Sequence, residues 1–142
     1  MPMRQIVDTH AHICDPVFDD DRSEVLARAG DAGITAIIAV GEDLSDARKN
    51  IDLAADHPML RPAAGLYPTI LDGARAAEMH GFIRKERAGL AAVGEVGLDF
   101  WIVKEESDKE LQKEIFKGFI NLARELDLPL NVHSRSAGRH AV

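Results

Sequence analysis

The strongest constraint on this chain is a repeated alternation. Short apolar runs rich in β-branched residues are each followed by a longer amphipathic stretch. A strand covered on both faces reads as an unbroken apolar run, whereas a helix lying over it is apolar along one stripe only. Residues 5–10, 34–40, 61–66, 90–96 and 128–133 read as strands, with Pro62 fitting only near the start of the third. Four helices are predicted between them. The first, over 23–32, places Val25, Leu26, Ala29 and Ala32 on one face and has Gly33 where it ends. The second is capped by Ser45 and ends at His57, ahead of Pro58. The third covers about 72–85. The fourth has a capping box in Ser107 and Glu110 and a stripe of Leu111, Ile115, Phe119, Leu122 and Leu126. A further segment begins in the tail, 134–142.

Four βα units and a fifth strand make an α/β chain with a parallel sheet. A complete (β/α)8 barrel takes ~250 residues, and this chain has 142. Two architectures fit: an open doubly wound sheet, or the front half of a TIM-type barrel cut short. No linker or low-complexity stretch divides the chain, so 1–142 reads as one domain. Aromatics make up 5%, so the core must be aliphatic. A single cysteine, Cys14, rules out an internal disulfide and suits a reducing compartment. The start, Met1-Pro2-Met3-Arg4-Gln5-Ile6, lacks the apolar stretch of a signal peptide, and no run approaches membrane-spanning length. A soluble, cytoplasmic protein is expected. The net charge of −7 argues against a general nucleic-acid binder, and no aromatic-interleaved basic groove is visible. Bound metal ions supply positive charge locally, so phosphodiester chemistry stays open.

Four residues carry the candidate chemistry. His10 and His12 stand two apart at the end of the first strand, where alternate side chains share a face, so both imidazoles can approach one ion. By spacing alone, a pair of loop histidines fits as well. Glu95 lies inside an apolar strand, where a carboxylate is costly unless it meets a cation. Ligation answers that cost, and so would a buried arginine or lysine. His133 ends the fifth strand. All four fall at the ends of parallel strands, which cluster in space, and their nitrogen and carboxylate donors suit zinc, manganese or other divalent ions. His57 and His80 fall in helices and are expected to be exposed.

The elements Val7-Asp8-Thr9-His10-Ala11-His12, Gly94-Glu95-Val96-Gly97-Leu98-Asp99-Phe100 and Val132-His133-Ser134-Arg135 resemble the TatD family of metal-dependent deoxyribonucleases, within the amidohydrolase-like superfamily. The resemblance runs over essentially the whole chain, and Gly-Glu-x-Gly-Leu-Asp is its most specific element. It implies a barrel holding two divalent ions (Zn, Mn or Mg): His10 and His12 on one, Glu95 bridging, His133 on the second. It also implies metal-activated water attacking a phosphodiester, with DNA as substrate. Arg135 would sit near enough to the mouth to hold a phosphate; pairing with a carboxylate such as Asp99 fits it equally. Two departures stand out. Gly65-Leu66-Tyr67-Pro68 replaces the family's Gly-x-His-Pro, so tyrosine stands where the family has histidine. The family's strand-six histidine and strand-eight catalytic aspartate have no counterpart before Val142.

Two other readings share these residues. The same two-metal core serves amide and ester hydrolysis in the superfamily. A catalytically incomplete half barrel that self-associates, its open sheet edges closed by another copy, is the non-enzymatic alternative.

Overall fold

Every predicted strand and helix forms. The computed structural model describes residues 5–142, so the reading of Met1-Pro2-Met3-Arg4 lies outside the described residues. The strands are β1 (Ile6–Ala11), β2 (Ile34–Ala39), β3 (Leu60–Ala64), β4 (Ala92–Asp99) and β5 (Leu130–Arg135). The helices between them are α1 (Arg22–Asp31), α2 (Leu44–Asp56), α3 (Gly73–Glu86) and α4 (Glu106–Leu126), and a short α5 (Gly138–Ala141) follows β5. No described helix is long and apolar enough to cross a membrane.

All strand pairs are parallel, and the spatial order is β1-β2-β3-β4-β5. That order decides between the two architectures. A doubly wound sheet reverses direction at a switch point, whereas a barrel adds each new strand beside the last. Curvature agrees. In a flat sheet, four inter-strand spacings would separate β1 from β5 by ~19 Å. Here Asn131 Nδ2 on β5 donates to the Thr9 carbonyl on β1 at 2.5 Å, and its Oδ1 lies 2.7 Å from His10 Nδ1. The sheet has curled far enough for its first and last strands to face each other.

The core lies between the sheet and the helices. Val96 and Leu98 of β4 pack with Met79 and Ile83 of α3 and with Phe116, Phe119 and Leu122 of α4. A second cluster joins Ile13, Leu26, Ile37 and Leu60 under α1. Several local expectations are corrected. The cap of α2 is Asp43, whose carboxylate accepts from the Ser45 and Asp46 amides at 2.9 and 3.1 Å, so Ser45 lies inside the first turn. The N-cap of α4 is Glu105 and makes no side-chain cap bond; Ser107 again falls inside the helix. The buried stripe of α4 is rotated from the expected one: Gln112, Phe116, Phe119, Leu122 and Ala123 are buried, and Leu111 is exposed. The polar Gln112 faces inward because its Nε2 donates to the Pro68 carbonyl at 2.7 Å and its Oε1 accepts from Asp99 N at 3.0 Å. Pro62 stands at the middle of β3, where its carbonyl accepts from Ala91 N at 2.8 Å. His80 is not exposed: its ring packs edge-on against Phe119 with centroids 4.5 Å apart.

Two outcomes follow from this packing. Truncating the fully buried Phe119 to alanine should cost ~3–5 kcal/mol, read as a lowered urea midpoint. Cys14 is 2% exposed, its Sγ–H donates to the Val40 carbonyl at 3.6 Å, and burial together with the Asp46 charge pushes its thiol up to about 11. Iodoacetamide at neutral pH should leave Cys14 intact in the folded chain and alkylate it fully in denaturant.

Candidate metal centre

Parallel strands end on a common rim, so β1, β4 and β5 deliver their last residues to one place. On β4, alternation sends Val96 and Leu98 into the helix-facing core and leaves Glu95, Gly97 and Asp99 on the other face. The glycines of this strand are there for space. A Cβ on Gly94 would stand 2.5 Å from Asn131 Cβ, and one on Gly97 (φ 146°) would collide with the His133 carbonyl. Gly-Glu-x-Gly therefore lets β5 lie close against β4 exactly where Asn131 and His133 project, while the glutamate between the glycines faces the rim.

His10, His12, Glu95 and His133 converge there. Glu95 is 2% exposed. Its Oε2 lies 3.0 Å from His12 Nε2 and 3.5 Å from His10 Nε2, and its Oε1 lies 2.6 Å from His133 Nδ1. One donor atom from each of His10, His12 and Glu95 falls within 4.8 Å of the others. Oε2 is buried, yet neither imidazole is aligned to hydrogen-bond it, and it has no partner. Two imidazole nitrogens crowded around a buried carboxylate oxygen that accepts no hydrogen bond fit a divalent cation, which would give Oε2 the interaction it lacks. His133 approaches the same carboxylate through its other oxygen.

Charge explains how the buried carboxylate persists. Burial alone pushes Glu95 up, but His12, His133 and the nearby His10 outweigh it, and the group ends below the usual carboxylate range. Reciprocally, interaction with the Glu95 carboxylate holds His12 above the ordinary imidazole value despite desolvation. No arginine or lysine meets Glu95 among the described residues, so that alternative is set aside.

Three further residues belong to this site. Asp99 is fully buried; its Oδ1 accepts from the amides of Trp101 and Ile102 at 3.0 and 2.9 Å, and its Oδ2 lies 3.0 Å from His133 Nε2. Burial pushes Asp99 up, but the Ile102 amide, His133 and the Trp101 amide bring it below its usual value. Asp99 faces Nε2 of His133 and Glu95 faces Nδ1, and each ionised carboxylate only accepts; were a cation to take the place at Nδ1, Asp99 would keep the proton on Nε2. Asn131 sets His10 in the same way, through the 2.7 Å contact to its Nδ1. Tyr67 packs edge-on against His133, centroids 5.1 Å apart; burial, with Glu95, Asp99 and Glu42 nearby, raises its hydroxyl and keeps it a neutral phenol. Asp99 was legible in the Gly-Leu-Asp motif, although not its partner, because spacing along one strand says nothing of what lies across it. Arg135 does not pair with Asp99: its guanidinium lies over Trp101 instead.

Calorimetric titration with zinc or manganese checks this arrangement. His12→Ala and Glu95→Gln should each abolish measurable high-affinity binding. Asp99→Asn keeps an acceptor for the Trp101 and Ile102 amides but presents an NH2 to His133, favouring the tautomer with its proton on Nδ1. Binding should weaken by roughly 10- to 100-fold with the fold retained. Gly97→Ala, by contrast, should cost roughly 3 kcal/mol or more of stability, because the clash is with backbone.

Comparison with known proteins identifies the family. The family model described as TatD related DNase matches residues 7–142. Human deoxyribonuclease TATDN3 is 33% identical over 151 residues, 96% of this chain and 54% of its own length. The metal-dependent hydrolase YabD of Bacillus subtilis is 32% identical over 141 residues, 96% of this chain and 53% of its own. The crystal structure of YjjV, a TatD homologue from Escherichia coli, superposes with a TM-score of 0.84 at 29% identity, covering 96% of this chain and 53% of that one. The chain thus spans about half the length of the relatives it matches, and its strands are those of a TIM-type barrel. By its match to the family model over residues 7–142 and by its strand order, this chain belongs to the TatD family.

Proposed function

We propose that this chain supplies the metal-binding front portion of a hydrolase that cleaves phosphodiesters, with DNA as the substrate. The observation that carries the reading is the buried Glu95 carboxylate, with two imidazoles at one oxygen and a third at the other. His10 and His12 with Glu95 would hold one divalent ion, and Glu95 with His133 would begin the site for a second; Zn, Mn and Mg all suit these donors. When bound, such ions lower the pKa of a water molecule and offset charge on the phosphoryl oxygens. The chain's own residues do the rest of what lies within it. Asn131 and Asp99 orient His10 and His133, and Tyr67 packs against His133. Arg135, exposed at the end of β5, is placed to hold a phosphate oxygen of the substrate.

Support for a nucleic-acid substrate comes from relatives: one is named a deoxyribonuclease, and another, from Erwinia tasmaniensis, a 3'-5' ssDNA/RNA exonuclease, 33% identical over 84% of this chain and 46% of its own length. On this reading a further metal-ligating histidine and the catalytic aspartate would come from later strands of the complete barrel. Among the described residues β1 and β5 each keep one unpaired edge. Further sequence or a second copy of the chain would close the barrel there. The lone free cysteine, Cys14, suits a cytoplasmic setting.

The test is elemental analysis and DNA cleavage on the protein with its barrel complete. About two ions per chain and cleavage that stops on chelation and returns with added metal are expected. Glu95→Gln should lower both. Cleavage indifferent to chelation, or turnover of amides with none of DNA, would overturn the reading.

A further inference from the structure

Beside the metal ligands the rim carries a second cluster, of which only Arg135 has a role above. Trp101 is 56% exposed, as is Ile102 next to it. Such large apolar side chains left side by side in water on the rim of a site mark a place of contact. The Arg135 guanidinium lies 5.3 Å from the Trp101 ring centroid and the Lys104 ammonium 5.2 Å. Among the described residues neither cation forms an ion pair with a carboxylate. In a chain of net charge −7, two such cations meeting at one indole concentrate positive charge there.

The cluster is also tied to the metal centre. Asp99 accepts from the Trp101 amide through one oxygen and meets His133 through the other, both at 3.0 Å. Phe100 N donates to the Arg135 carbonyl at 2.9 Å, and Lys104 Nζ to the Phe100 carbonyl at 3.1 Å. The indole therefore stands on backbone held by the same carboxylate that orients a metal ligand.

We propose that Trp101, flanked by Arg135 and Lys104, is a stacking subsite for an unpaired nucleobase of the strand whose phosphodiester reaches Glu95 and its histidines. The inference rests on the phosphodiester reading above and names the part of the substrate that the reading leaves open. The part of the indole that the two cations leave exposed can stack on any base, and the cations match the phosphates on either side of that base. Inside a duplex both faces of a base are already stacked, so the subsite selects a single-stranded stretch. An acidic peptide would engage the cations and leave the indole without a partner.

Trp101 is the sole tryptophan of the chain, so its fluorescence reads the subsite directly. With chelator present to prevent cleavage, a ten-nucleotide oligothymidylate should quench it saturably, and the blunt duplex of the same strand should bind several-fold more weakly. By anisotropy of the labelled oligonucleotide, Trp101→Ala should weaken binding roughly tenfold and Trp101→Phe by less than about threefold, since phenylalanine still stacks. Arg135→Ala and Lys104→Ala should each lower the salt dependence by ~0.7 per lost phosphate contact. Three results would overturn the subsite: no quenching at saturating oligonucleotide, wild-type affinity in Trp101→Ala, or a Trp101 already shielded from acrylamide in the free protein. The hydrolase reading stands or falls separately. Metal-dependent DNA cleavage by the complete barrel alongside wild-type affinity in Trp101→Ala sinks the subsite alone, and quenching with no DNA cleavage by the complete barrel sinks the hydrolase reading while the subsite stands.

Discussion

A carboxylate buried in the middle of an apolar strand is the constraint around which the rest of this molecule is arranged. Glu95 is 2% exposed on a strand whose every residue is buried. An ionised group in that position is tolerated only if positive charge comes to it. Here three histidines bring their ring nitrogens to it, two from the end of β1 and one from β5. They reach it only because the sheet curls, and the sheet curls as a parallel barrel does. Architecture and site are in this sense one requirement: a flat sheet of the same strands would leave Glu95 without the histidines of β1.

The spacing between β4 and β5 shows how local sequence serves that requirement. Gly94 and Gly97 bracket Glu95 and remove the side chains that would hold β5 away. The gap they leave admits Asn131 and His133, one of which orients a candidate ligand and the other of which is one. Asp99, at the end of the same strand, then serves two tasks with one carboxylate. It closes the turn into Trp101 and Ile102, and it fixes the ring of His133. A short stretch of β4 thus supplies the central anion, the room for its neighbours and the support for one of them.

The helices play a quieter part. Gln112 shows that even the helix-facing core is shaped by the rim: a polar side chain turns inward to bond Asp99 N and the Pro68 carbonyl, beside the Tyr67 that packs on His133. That inward turn rotates the buried stripe of α4 away from the one that apolar periodicity favours. Propensity and pattern set where α4 lies; a tertiary hydrogen bond sets which face it shows.

Much of this was legible in the residues themselves. The βα rhythm determined the elements and their parallel pairing, because burial on both faces of a strand and on one stripe of a helix leaves different periods in a sequence. The four candidate ligands were legible because histidines at strand ends and a glutamate inside an apolar strand have few bland explanations that agree with one another. What the sequence could not carry were relations between residues far apart along the chain. Whether the sheet was doubly wound or barrel-like, which carboxylate held His133, that Arg135 and Lys104 meet on Trp101 rather than on an acid, and that His80 is packed against Phe119 were decided only by the fold. Periodicity records which face of an element is buried; it does not record what stands opposite, and that is where hydrogen bonds, ion pairs and the electrostatics of a site arise.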